Sequence, residues 1–103
     1  MIFITLYDKL ICMKSLKLVK YGHEQCQPCR LIKPILTEIS DEFSQSLDFV
    51  DKDTMQMTDM TELQNAKIKA VPTMILFKDD VEVWRHVGLI SKDALQQAIS
   101  SYV

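Results

Sequence analysis

Glycine and proline are scarce in this chain, with two and three residues among 103. Each one therefore marks a local event, not a loop-rich design. Charge of one sign is scarce too. The net charge is −2, which argues against nucleic acid or an anionic membrane as the main partner. No long apolar run is present. The opening "MIFITLYDKLICM" is interrupted by Asp8 and Lys9. It lacks a basic start and a small-residue cleavage site, so it reads as neither signal peptide nor membrane span. A cytoplasmic location is the default expectation. Cysteine is also sparse, at positions 12, 26 and 29. An odd count is poor support for a disulfide-stapled secreted scaffold. A bridge between Cys26 and Cys29 would close a very short loop and add little chain-entropy stabilisation. Such a bridge would serve chemistry before stability.

What is there fits one domain with one core. No internal repeat, linker or low-complexity segment appears. Residues 15–21, "SLKLVKY", alternate as a strand, with Leu16 and Leu18 on one face and Val19 and Tyr21 on the other. Gly22 ends that run. From Cys29 to about Gln45, the residues Leu31, Ile32, Ile35, Leu36, Ile39 and Phe43 predict one helical stripe. Pro34 falls inside it, where a missing N–H should kink the helix. "LDFVD" (47–51) predicts a short buried strand. Residues 59–67 predict a helix capped by Asp59, with Glu62 completing a capping-box-like pair.

Two β-rich runs, 71–78 and 81–87, are separated by Asp79-Asp80 alone, which predicts an antiparallel hairpin. Ser91 predicts the cap of a last helix, 92–102, with Leu95, Ala98, Ile99 and Tyr102 inward. Trp84 reads as a core or sheet-face aromatic. Met55, Met57 and Met60 read as core filling. The order β–α–β–α–β–β–α implies an α/β fold. Its mixed central sheet has a parallel first pair, an antiparallel last pair and helices on both faces.

The stretch "HEQCQPCRLIKP" (23–34) carries the chemistry. Its two cysteines fall where the first strand gives way to the long helix. Unpaired N–H groups at a helix start favour a thiolate. The spacing lets one sulfur reach the other across one turn, and Pro28 fits the first turn. Cys26, at the exposed edge, would attack a substrate disulfide, and Cys29, one turn deeper, would resolve the mixed disulfide. Other readings of the pair stay open. The thiols could be inert and buried. They could belong to a zinc site, for which Cys12, His23 and His86 are the only further candidates nearby in type. Two chains could also share an iron–sulfur cluster as a dimer.

Beyond the pair itself, several motifs resemble the thioredoxin family. "CQPCRLIKP" (26–34) is similar to that family's C-x-P-C motif with its helix-kinking proline five residues on. "VPT" (71–73) resembles its cis-proline loop, and 71–99 resembles its closing hairpin, glycine and helix. The likeness spans roughly residues 15–103. It implies a thioredoxin-like fold with a shortened N-terminus, in which 1–12 form an extension or edge segment and 13–103 the domain. It implies a protein-disulfide reductase with Cys26 as nucleophile, Cys29 as resolving thiol and a redox disulfide between them. Gln25, Val71, cis-Pro72 and Gly88 would contact substrate, with Val71 offering backbone hydrogen bonds. No cofactor is implied and no metal. The expected partners are protein disulfides and a thioredoxin-reductase-type recycling enzyme, and the expected state is a monomer.

The departures from the family pattern are specific. Gln25 stands where tryptophan is usual, and Lys20 where a buried carboxylate is usual. The lysine that normally partners the carboxylate falls near Leu47, so the proton-relay pair reads as missing. Lys20 is then expected to tune the site's thiol pKa, easing ionisation of Cys26 but leaving resolution slow. His23 and Glu24 read as loop residues near the motif, and Cys12 as incidental. These departures give weight to a second function, a binding or adaptor module with little turnover that recognises a partner through Gln25, Val71 and Gly88.

Overall fold

A strand apolar on both faces belongs at the centre of a sheet, covered on each side. Strand β1 (Leu16–Gly22) is such a strand, and six of its seven residues are buried. The computed structural model describes residues 15–57 and 60–103. The segment 1–14, with Cys12, and Asp59, the expected helix cap, lie outside the described residues.

Helix α1 (Gln27–Glu42) follows β1 and returns the chain to strand β2 (Leu47–Asp53). Helix α2 (Thr61–Asn65) then leads to the hairpin of β3 (Thr73–Lys78) and β4 (Val81–Val87), and helix α3 (Lys92–Ser100) ends the fold. The sheet order is β2–β1–β3–β4. β1 and β2 are parallel, while β1–β3 and β3–β4 are antiparallel. Asp79 and Asp80 both adopt positive φ, 51° and 67°, as a two-residue hairpin turn matched to strand twist requires.

The core has two layers. On one face of the sheet, Ile32, Leu36 and Ile39 of α1 and Leu95 and Ile99 of α3 close over Leu16, Leu18, Leu47, Met74 and Leu76. On the other, Leu63 of α2 packs with Val19, Tyr21 and Ile75. The alternation expected for β1 is therefore present, and Trp84 packs on the first layer. The hydroxyl of Tyr102 donates to the Val83 carbonyl at 3.0 Å, tying the chain end to β4.

Several expectations need correction. Helix α1 starts two residues earlier than expected because the Cys26 side chain caps it. Leu31 is 53% exposed. The narrower spacing Ile32, Leu36, Ile39 fixes the inward face, and Leu31 falls outside that arc. β2 is an edge strand, with only Leu47 buried. Met55 and Met60 are exposed at 60% and 50%. Only Met57 packs on the second layer.

Candidate active site

Cys26 is the N-cap residue of α1. Its backbone is extended (φ −88°, ψ 114°), and its sulfur accepts the Cys29 N–H at 3.3 Å. Sulfur thus takes the place that a serine or aspartate oxygen usually fills at a helix start. Pro28 sits in the first turn, where no donor is lost. The guanidinium of Arg30 donates to the Glu24 carbonyl at 2.8 Å and braces the loop before the cap. Cys26 is half-buried, whereas Cys29 is 2% exposed. The two are joined as a disulfide. Sequence separation is the same as for any i, i+3 helical pair, but the cap geometry sets the two sulfurs at different depths.

The 70–73 loop faces this pair. The Cys26 sulfur lies 3.7 Å from the Val71 carbonyl oxygen, and the Val71–Pro72 peptide is cis. The Thr73 hydroxyl donates to the Ala70 carbonyl at 2.6 Å, which closes the loop on itself. Gly88 donates its N–H to the Pro72 carbonyl at 2.8 Å. Gly88 has φ +94°, a conformation other residues rarely adopt. Nothing lies within 4 Å of where its Cβ would be. Cys26, Val71, Pro72 and Gly88, expected together from the sequence, are thus linked as neighbours, with the Pro72 side chain fully buried. Gln25 is exposed on the loop before Cys26.

Beneath the pair is a cleft lined by Lys20, Gly22, Cys29 and Asp51. A Cβ on Gly22 would stand 2.9 Å from the Cys29 sulfur and 3.0 Å from Lys20 Cε. A side chain here would crowd both the lysine stem and the sulfur. Lys20 is 5% exposed, and its ammonium pairs with Asp51 Oδ1 at 3.2 Å. The expectation that the position partnering residue 20 falls near Leu47, leaving the pair missing, is corrected by the register. In the parallel register Leu47 lies opposite Leu16, and Asp51 lies opposite Lys20. An opposite charge is present, with the order of signs reversed. Asp51 was missed in the sequence, although Leu47 and Phe49 mark the α1-facing parity of β2 and Asp51 continues it.

A second cleft, mostly apolar, runs from His23 past Met60, Leu63 and Ile68 to Val71. His23 borders both clefts, and its Nδ1 is buried with no hydrogen-bond partner among the described residues. Among the described residues no three His, Cys, Asp or Glu side chains gather as a metal ion needs. His86 is turned to the Leu89 carbonyl at 2.9 Å. Among those residues, too, no helix is long and apolar enough to cross a membrane.

Comparison with known proteins agrees with this geometry. The sequence profile of the Thioredoxin family matches residues 4–101. Thioredoxin-1 of Saccharomyces cerevisiae is 32% identical over 95 residues, covering 92% of this chain and 88% of the yeast protein. The thioredoxin of Chlamydia trachomatis is 34% identical over 89 residues, 85% of this chain and 83% of that one. That of Mycobacterium tuberculosis is 36% identical over 88 residues, 84% and 72% of the two chains. A solved mutant thioredoxin from Halobacterium salinarum superposes with a TM-score of 0.79 over 92% of this chain and 80% of its own. At 24% identity, that likeness speaks to the fold alone. With a C-x-P-C disulfide at a helix start and these relatives, the chain belongs to the thioredoxin family and is a protein disulfide oxidoreductase.

Proposed function

We propose that the chain reduces protein disulfides through Cys26 and Cys29 by way of a mixed disulfide. The observation that carries this reading is the unequal depth of the two sulfurs, one half-buried beside the Val71 carbonyl and one enclosed. In the reduced protein, the Cys29 N–H and the helix start favour a thiolate on Cys26. That thiolate attacks the substrate disulfide. One substrate sulfur leaves as a thiolate and the other is held by Cys26. Cys29 then loses its proton, its sulfur bonds to Cys26, and the second substrate sulfur leaves. The substrate gains two electrons and the chain ends as the disulfide.

Val71 holds an extended substrate segment by backbone hydrogen bonding, and cis-Pro72 shapes the loop that presents it. Gln25 and the open backbone at Gly88 border the same surface, and Lys20 tunes the thiols from below. Resetting the dithiol falls to an enzyme of the thioredoxin-reductase type, as is general in the family. The unit that works is the domain 13–103, acting as a cytoplasmic monomer without a cofactor.

Reduction of insulin by this protein with dithiothreitol as electron source tests the reading. The expected result is turnover in the unaltered protein and loss of catalysis in both Cys26→Ser and Cys29→Ser. Tight binding of a disulfide protein without turnover would overturn it in favour of an adaptor role.

A further inference from the structure

The cleft under the disulfide holds a buried cation beside the enclosed sulfur, and the cation's counter-charge comes from a neighbouring strand. Lys20 is 5% exposed. Its Cε and the Cys29 sulfur lie 3.0 and 2.9 Å from the point where a Gly22 Cβ would stand. Cys26 is not among the residues lining this cleft. Of the two cysteines, the one that lines the cleft with the lysine is the resolving one. Asp51 stands opposite Lys20 in the parallel register, 3.2 Å from the ammonium, with 44% of its own side chain exposed.

We infer that Asp51 is a positioning residue for the resolving step, holding the Lys20 ammonium under Cys29 so that the Cys29 thiolate forms readily in the mixed disulfide. This rests on the mixed-disulfide reading above. An ammonium buried to this degree is costly without a counter-charge, and Asp51 supplies it. A cation a few ångströms from a sulfur stabilises the thiolate over the thiol. The carboxylate lines the same cleft, with 44% of its side chain exposed, and offsets part of that field. In the step itself the Cys29 proton passes to solvent in the open cleft. The freed electron pair forms the Cys29–Cys26 bond, and the Cys26–substrate bond breaks. The departing substrate thiolate takes a proton from solvent. The other titratable groups lining the cleft are His23 and Glu24 from the loop, Arg30 and Lys33 from α1, and Asp53 from β2.

The test is alkylation of Cys29 by iodoacetamide against pH, read by mass spectrometry in a Cys26→Ser background, which needs no turnover. Lys20→Met should raise the midpoint for Cys29 by about one pH unit, a roughly tenfold loss of thiolate below the midpoint. Asp51→Asn should shift it the same way, since the lysine's charge leaves the cleft, and Asp51→Glu should restore it. In proteins that keep both cysteines, the resolving phase with a peptide disulfide should slow several-fold at neutral pH and recover at high pH. A packing defect would not recover. An unmoved midpoint in Lys20→Met, or a lowered one in Asp51→Asn, would overturn the inference. Loss of insulin reduction in the unaltered protein would instead overturn the mixed-disulfide reading and leave the alkylation result standing.

Discussion

The two faces of the sheet are covered in different ways. On one, α1 and α3 contribute Ile32, Leu36, Ile39, Leu95 and Ile99 to a continuous apolar layer. On the other, α2 has five residues, and Leu63 alone of them is buried. A helix that short contributes little through area. Directed polar contacts hold it instead. The Tyr21 hydroxyl donates to Glu62 at 2.7 Å, and Lys52 pairs with the same carboxylate at 2.7 Å. Arg85 donates to the Ala66 and Lys67 carbonyls at 2.8 and 3.3 Å, where α2 ends, and is itself fixed by Glu82. The α1 face carries the cysteines and the Lys20–Asp51 pair. The α2 face runs up to Val71 and its neighbouring cleft. A rigid layer thus holds the reactive pair, and a lightly packed, polar-tethered layer borders the substrate-facing loop.

Truncations on the two faces are the strongest way to break this comparison. Ile39→Ala removes a fully buried side chain from the α1 layer and should cost about 2–5 kcal/mol in urea unfolding. Leu63→Ala removes a side chain already 9% exposed from a thinner layer. It should fall at or below the low end of that range, about 2 kcal/mol. Equal losses at both positions would show the two faces to be equally packed.

The polar tether gives a smaller and sharper effect. Burial and the Glu62 acceptor push the Tyr21 hydroxyl well above its ordinary range. Hydrogen bonds from Lys52 and Tyr21 hold the Glu62 carboxyl below its own. Tyr21→Phe should therefore cost about 1.5 kcal/mol at neutral pH, the low end for a hydrogen bond to a charged group. The pH dependence has a definite sign. Glu62 is depressed in the folded chain, so its contribution is present above the unfolded carboxylate value of about 4.3 and is lost as pH falls through the lower folded value. Tyr21 is raised, so its contribution is complete below about 10 and is lost as pH rises beyond that. Glu62→Gln should flatten the acid-side slope of stability against pH, and Tyr21→Phe the alkaline side. If both slopes survive both substitutions, α2 is held by something other than this tether.

The same contrast explains what the sequence made legible. The α1 face is written in periodicity. Ile32, Leu36 and Ile39 recur at helical spacing, and the four apolar side chains of β1 alternate, so helix, strand and facing could be read locally. The C-x-P-C pair and Val71-Pro72 were legible as types. Their juxtaposition needed the hairpin and the β1–β3 pairing, which the resemblance implied. The α2 face resisted because its determinants are distant in sequence. Arg85 reaches carbonyls 18 and 19 residues away, and Tyr21 reaches a carboxylate 41 residues away. No local pattern encodes such bonds. Asp51 is an intermediate case. Nothing near it announces a role, yet the parity Leu47, Phe49, Asp51 against Leu16, Leu18, Lys20 specifies the pairing once the parallel register is known.

The central claim is that Cys26 attacks and Cys29 resolves, and trapping of disulfide-bonded adducts tests it most directly. Cys29→Ser and Cys26→Ser would each be offered the same disulfide-containing peptide, and adducts counted by mass spectrometry under non-reducing conditions. A lasting one-to-one adduct on Cys26 is expected in Cys29→Ser, released by dithiothreitol, and essentially none on Cys29 in Cys26→Ser, where that thiol is 2% exposed. Equal trapping by both variants, or trapping by Cys26→Ser alone, would contradict it.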